Sequence, residues 1–233
     1  MTPAVEIKVI SSLATREAHR ELVPQFERAS GHKVATTWAG TVDIIKRISA
    51  GESYDLIIAS KSTIDEFIEA GKVESGSRVD IARSGIGIAI RRGGRRPDIG
   101  SAEALKRALV AAEAVGYSTG PSGVYLAALF ERMGIGADIE AKSLRVPPGA
   151  TVGPVIASGD VEIGFQQMSE LLHVDGIDVI GPLPAEIQHI TVISCGIPTA
   201  AKEAEAARAL VQFLAAPGAR DAIERAGLMV PAG

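Results

Sequence analysis

The sequence predicts an α/β protein in two lobes, and three observations carry that expectation. The composition is 46% hydrophobic but only 4% aromatic, weighted to Ala, Ile, Val and Gly. That balance suits helices layered on mostly parallel sheets better than an aromatic-rich antiparallel sandwich. A strand, a short polar turn and a helix recur three times between Ile7 and Gly71, and the series restarts after the basic, turn-rich segment RRGGRRPD. At 233 residues the chain can bury its cores without disulfide or metal support.

The β-branched run Ile7 to Ile10 predicts the first strand. Ser11 and Ser12 form a turn, and Ala14, Ala18, Leu22 and Phe26 then mark one helical stripe that continues past Pro24 to Gly31. Lys33 to Trp38 is the second strand, Ala39 to Thr41 a turn, and Val42, Ile45 and Ile48 continue helically to Gly51. Leu56 to Ala59 is a buried third strand, followed by a polar turn at Ser60 to Ser62 and a helix to Gly71. Three such units in succession imply a parallel sheet with right-handed crossovers.

Ser84 to Ile90 is strand-like, and the second series follows. It comprises a helix from Ser101 to Ala112, a strand at Ala114 to Tyr117, the turn STGPSG, and a helix carrying Leu126, Leu129, Phe130 and Met133. Leu144 to Val146 is a short strand, Val152 to Ala157 a short helix, and Glu162 to Phe165 a buried strand ending in Gln166 and Gln167. Ile177 to Ile180 and His189 to Ser194 add two strands, and two helices separated by Pro217 and Gly218 close the chain.

A net charge of −4 provides no broad positive field, so nucleic acid is not an expected partner. No run reaches the roughly 20 apolar residues of a membrane span, so membrane insertion is not expected. The opening MTPAVEIKVI lacks the basic and apolar regions of a signal peptide. Cys195 stands alone, and His19, His32, His173 and His189 form no ligand spacing, so neither a metal nor another cofactor is expected. His19 is placed on the polar face of its helix, and the run Arg91, Arg92, Arg95 and Arg96 in a solvated turn.

Ligands of open parallel sheets bind beyond the carboxyl ends of the strands. There the turns read ISSL, AGTV, ASKS, STGPSG, PPGATV and FQQMS, rich in hydroxyls, amides and glycine. Each serine or threonine taken singly is an ordinary helix cap worth about 1 kcal/mol. Their recurrence at one topological position in both halves, with glycines that allow close backbone approach, points to an anion held by neutral donors.

The phrases KVISSLATREAHRELVPQFERASGHKV, IIKRISAGESYDLIIAS, GPSGVYLAALFERMGI, SGDVEIGFQQ and RALVQFLAAPGARDAIERAGL, in that order, resemble the molybdate-binding branch of the type II periplasmic solute-binding proteins. The resemblance spans nearly the whole chain. It implies two Rossmann-like lobes, 1–83 with 189–233 and 84–188, with a ligand cleft between them. It further implies a periplasmic monomer serving an ABC permease, although a cytoplasmic location is compatible with the bare opening.

By position, the resemblance assigns the ligand to Ser11 or Ser12, Gly40 with Thr41, Ser122 with Gly123, Thr151 with Val152, and Gln167. Ser60, Lys61, Ser118, Thr119 and Gln166 are added as neighbours in the same turns. Gln167 stands where the molybdate binders carry a tyrosine. An adjacent pair of amides suits an organic carboxylate with its own hydrogen-bonding groups better than a bare oxyanion. The same branch includes aconitate isomerases, the alternative function. For that chemistry the candidate acid–base groups are Lys61, Tyr125, Glu170 and His189. A sensing module of a regulator is disfavoured, since no helix-turn-helix or basic segment flanks the lobes.

Overall fold

The computed structural model describes residues 3–147 and 149–231. The chain forms two compact units: the first runs up to Arg83 and resumes at Val192, and the second is Ser84–Thr191.

In the first unit β1 (Glu6–Ser12), β2 (Lys33–Ala39) and β3 (Leu56–Ser60) pair in parallel in the order β2-β1-β3. The helices between them are α1 (Arg16–Ser30), α2 (Thr41–Ser49) and α3 (Lys61–Glu69). Alternation along the strands divides the side chains between two cores. Val9, Leu56 and Ile58 pack with Ala18, Leu22 and Phe26 of α1, while Ile10, Ile57 and Ala59 pack with Ile44, Ile48 and Ile64 of α2 and α3. The first core is closed by Leu210 and Leu214 of α9 (Ala204–Ala215) and Ile223 of α10 (Arg220–Arg225). α1 runs on through Pro24.

In the second unit β5 (Val115–Ser118) pairs in parallel with β6 (Ser143–Val146) and β7 (Ile163–Gln167). Around them lie α4 (Ala102–Ala111), α5 (Pro121–Arg132), α6 (Gly136–Glu140), α7 (Gly153–Ser158) and α8 (Met168–Leu171). Tyr117, Phe130 and Phe165 centre one core, with ring centroids of neighbouring pairs 5.7 and 6.0 Å apart. Val152, Ile156 and Leu171 form the other.

Neither sheet is wholly parallel, contrary to the simplest reading of the repeated units. β9 (Ile190–Gly196) runs antiparallel to β3, β4 (Val79–Arg91) antiparallel to β7, and β8 (Ile177–Pro182) antiparallel to β4. The reason is topological: β4 and β9 are not products of a βα crossover, and strands joined by other connections are free to take the opposite direction. The passages from one unit to the other lie within these two strands, at 83–84 and 191–192.

Asp55, just ahead of β3, is buried at 4% exposure. One carboxylate oxygen accepts from the backbone N–H of Lys8 at 2.8 Å. The other accepts from those of Lys202 at 2.9 Å and Glu203 at 3.0 Å, at the start of α9. The carboxylate thus ties β1 to α9 and completes a helix terminus that has no cap of its own.

Candidate functional site

Strand register gathers the turns of each unit at one end of its sheet. In the first unit Ser12 pairs with Ala39 and Ser11 with both Trp38 and Ile58. The residues that follow these strands, from Ser12, Gly40 and Ser60 onward, therefore lie at the same carboxyl end.

The helix starts there differ. Ser60 caps α3 through the N–H of Thr63 at 3.3 Å and also bonds the Thr63 hydroxyl at 2.8 Å. Lys61 is exposed on the first turn of that helix. α2 begins instead on Gly40, with no side-chain cap. The N–H groups of Thr41, Val42 and Asp43 precede the first intrahelical bond, Ile44 N–H to Gly40 C=O at 2.9 Å, and so have no helical acceptor.

Of the two serines after β1, Ser11 is fully buried and hydrogen-bonded to Thr15 at 2.7 Å. Ser12 is half-buried, and its side chain makes no cap bond. Ser12 is thus the more accessible of the two. His19 is 4% exposed, not on a polar face. The spacing of 19, 22 and 26 puts it on the same stripe as Leu22 and Phe26, and the Trp38 ring lies 5.3 Å away. Burial lowers its pKa to about 4.

This gives a pH dependence of stability. The unfolded imidazole, near 6.5, binds a proton that the folded one refuses until about pH 4, so His19's contribution is intact above 6.5 and is lost as pH falls towards 4. The loss is expected to approach about 3 kcal/mol. Urea unfolding of wild type and His19→Asn from pH 4 to 7 checks it: the two curves should converge as pH falls, and a constant gap would contradict it.

In the second unit, register places Ser118 beside Val146, and Tyr117 beside Phe165. α5 begins on Gly120 without a side-chain cap, and its first residue, Pro121, brings no N–H. The N–H groups of Ser122 and Gly123 are left at this end. The Ser118 hydroxyl lies 3.3 Å from that of Ser122 and accepts from Gly120 N–H at 3.3 Å, which shapes the turn around Thr119. Gly123 approaches β5 so closely that an added Cβ would stand 1.6 Å from the Ser118 carbonyl oxygen.

Thr151 is half-buried, but the Val152 N–H donates to Gln166 Oε1 at 2.7 Å, so each occupies the other. Gln166 Nε2 donates in turn to Glu170 at 2.5 Å. Gln167 donates to Thr191 Oγ1 at 3.0 Å, while its own buried Oε1, like the buried Ser169 Oγ, has no hydrogen-bond partner among the described residues. Such orphans are rare in native interiors. Ser169 was not foreseen; only its place in FQQMS pointed to it.

Tyr125 and His189 come together, stacked with centroids 4.5 Å apart and the phenol donating to Ile187 C=O at 2.8 Å. Lys61 belongs to the other unit. His32 accepts from Val5 N–H at 3.3 Å, and His173 is exposed. Arg91, Arg92, Arg95 and Arg96 are all exposed. Among the described residues no group of three or more His, Cys, Asp or Glu could hold a metal ion, and no helix is long and apolar enough to cross a membrane.

The model of the family described as bacterial extracellular solute-binding protein matches residues 7–229. The chain belongs to that family. It is 38% identical over 237 residues to an aconitate isomerase from Pseudomonas sp, covering 99% of this chain and 90% of that protein. It is 27% identical over 234 residues to the molybdate-binding protein ModA of Azotobacter vinelandii, covering 96% and 90%. The solved periplasmic molybdate-binding protein of Azotobacter vinelandii superposes with a TM-score of 0.80 at 18% identity, over 97% of this chain and 100% of that one. This solute-binding protein thus has the fold of the two-lobed periplasmic binding proteins.

Proposed function

We propose that this protein binds a small organic polycarboxylate of the aconitate class. The observation that carries the reading is the contrast among helix starts: α3 and α4 are closed by Ser60 and Ser101, whereas α2 and α5 begin on glycines with backbone N–H groups open. Open helix N-termini attract anions through those donors and the helix dipole. In the first unit the proposed ligand groups are Ser12, Gly40 and Thr41; in the second they are Ser118, Thr119, Ser122, Gly123, Thr151 and Gln167. Ser11, Ser60, Gln166 and Val152 hold these turns in shape.

The 38% identity to a protein named as an aconitate isomerase favours an organic carboxylate over molybdate. Adding cis- or trans-aconitate at 100 times its Kd should stabilise the fold by about 2.7 kcal/mol. It should also change the emission of Trp38, which precedes the Gly40 turn. If no carboxylate moves either signal, the reading is wrong. Family membership supports a periplasmic location and delivery to an importer permease.

A second reading is favoured by the relative of 38% identity named as an aconitate isomerase: the bound ligand is turned over. A base removes a proton from the methylene carbon, the double bond moves to that carbon, and the proton is returned to the former vinyl carbon, so the sum of atoms and charge is unchanged. We propose Glu170 as the base, since its carboxylate is held at the end of β7 by the Gln166 amide. The Tyr125 proton is already engaged on Ile187 C=O. Glu170→Gln should lower kcat by about 10²-fold or more while binding persists. Incubation with cis-aconitate and separation of products decides between the readings: the trans isomer supports turnover, and binding without product leaves a carrier.

A further inference from the structure

We propose that His19 is a positioning residue for the ligand-binding turns of the first unit, its Nδ1–H ending a buried relay through Thr15 that fixes Ser12 while its ring seats Trp38 ahead of Gly40 and Thr41. The inference rests on the reading that Ser12, Gly40 and Thr41 serve the ligand.

The relay is made of named atoms. Thr15 Oγ1 lies 3.5 Å from His19 Nδ1 and 2.7 Å from Ser11 Oγ, and it donates to the Ser12 carbonyl at 3.2 Å. Ser11, Thr15 and His19 are 0%, 2% and 4% exposed, so water does not replace these bonds. Ser11 Oγ also lies 3.3 Å from the Ser12 carbonyl oxygen. We assign the single Thr15 hydroxyl proton to the Ser12 carbonyl, so that its oxygen accepts from the Ser11 hydroxyl and from His19.

In this arrangement His19 carries its proton on Nδ1, facing Thr15, its one hydrogen-bond partner among the described residues; the hollow beside it, about 10 Å³, is otherwise lined by apolar side chains such as Ala18, Leu22 and Leu214. On its face the imidazole meets Trp38 at 5.3 Å, tilted by 55°, and the Arg16 guanidinium sits 5.7 Å from the same indole. Trp38 is also the strand partner of Ser11. One side chain thus braces the turn after β1 through hydrogen bonds and the turn after β2 through ring contact. A neutral imidazole, as burial dictates, fits the relay.

The test combines the spectrum of the whole chain with paired variants. Two-bond ¹⁵N–¹H correlations at pH 7 should show His19 as the Nδ1–H tautomer; an Nε2–H tautomer overturns the relay. His19→Asn keeps a donor near the Nδ1 position and is expected to bind cis- and trans-aconitate within about threefold of wild type. His19→Leu removes the donor and should weaken binding about tenfold or more. Thr15→Ser should rescue what Thr15→Val loses, which keeps the inference testable if His19→Leu does not fold. Equal binding by the Asn and Leu variants, or by the Ser and Val variants, refutes it. Should wild type bind neither isomer, the ligand reading fails by itself, and the tautomer still decides the relay.

Discussion

Replacing Gly123 by alanine is expected to destabilise the protein by about 3 kcal/mol or more, or to prevent folding. The added methyl would stand 1.6 Å from the Ser118 carbonyl oxygen and 2.6 Å from its carbon. Both are backbone atoms at the end of β5, so no side-chain rotation relieves the clash. The helix must retreat from the strand, and Leu126, Leu129 and Phe130 move with it out of the core they share with Tyr117 and Phe165. Gly120→Ala is the control, since its methyl would meet only the Ser118 hydroxyl, at 3.7 Å. Urea unfolding of the two variants should show a large loss for position 123 and a small one for position 120; similar losses would contradict the close approach.

The second large effect is expected at Asp55. Asp55→Ala strands the backbone N–H groups of Lys8, Lys202 and Glu203, all now bonded to one buried carboxylate. A cost of about 3–5 kcal/mol follows from removing a buried charged acceptor and leaving its donors unpaired. Asp55→Asn keeps one oxygen but turns an amide N–H₂ towards an N–H, and should fall between the two. Thermal unfolding of the series checks the order, and an alanine variant within about 1 kcal/mol of wild type would refute it.

Much of the fold was legible because hydrophobic period separates strand from helix. Ile10, Ile57 and Ala59 face one core while Val9, Leu56 and Ile58 face the other, as alternation requires. Short elements were not legible: α6 and α8 have five and four residues, too few to display a 3.6-residue period. The antiparallel course of β4 and β9 depends on where the chain passes from one unit to the other, which no local pattern records. Asp55 and His19 were missed or misplaced because a polar residue beside an apolar run looks solvated until its partners, 147 residues away in the case of Lys202, are known.

The strand-end turns were picked out by topology, and the structure distinguishes among them. Sequence alone treats Ser12, Thr41, Ser60 and Ser122 alike, as hydroxyls at strand ends. Whether each is open or engaged depends on rotamers: Ser60 turns inward to Thr63, whereas α2 and α5 start on glycine and remain open. The same holds for the two glutamines, of which Gln166 is engaged at both ends and Gln167 keeps a buried oxygen with no partner among the described residues.

The central claim is that the protein binds an organic polycarboxylate through backbone donors left open at helix starts, and calorimetric titration of cis-aconitate, trans-aconitate and molybdate into the wild-type protein tests it most directly. The account predicts saturable, one-to-one heat for at least one aconitate isomer and none for molybdate at equal concentration. Saturable binding of molybdate with no response to either carboxylate would contradict it.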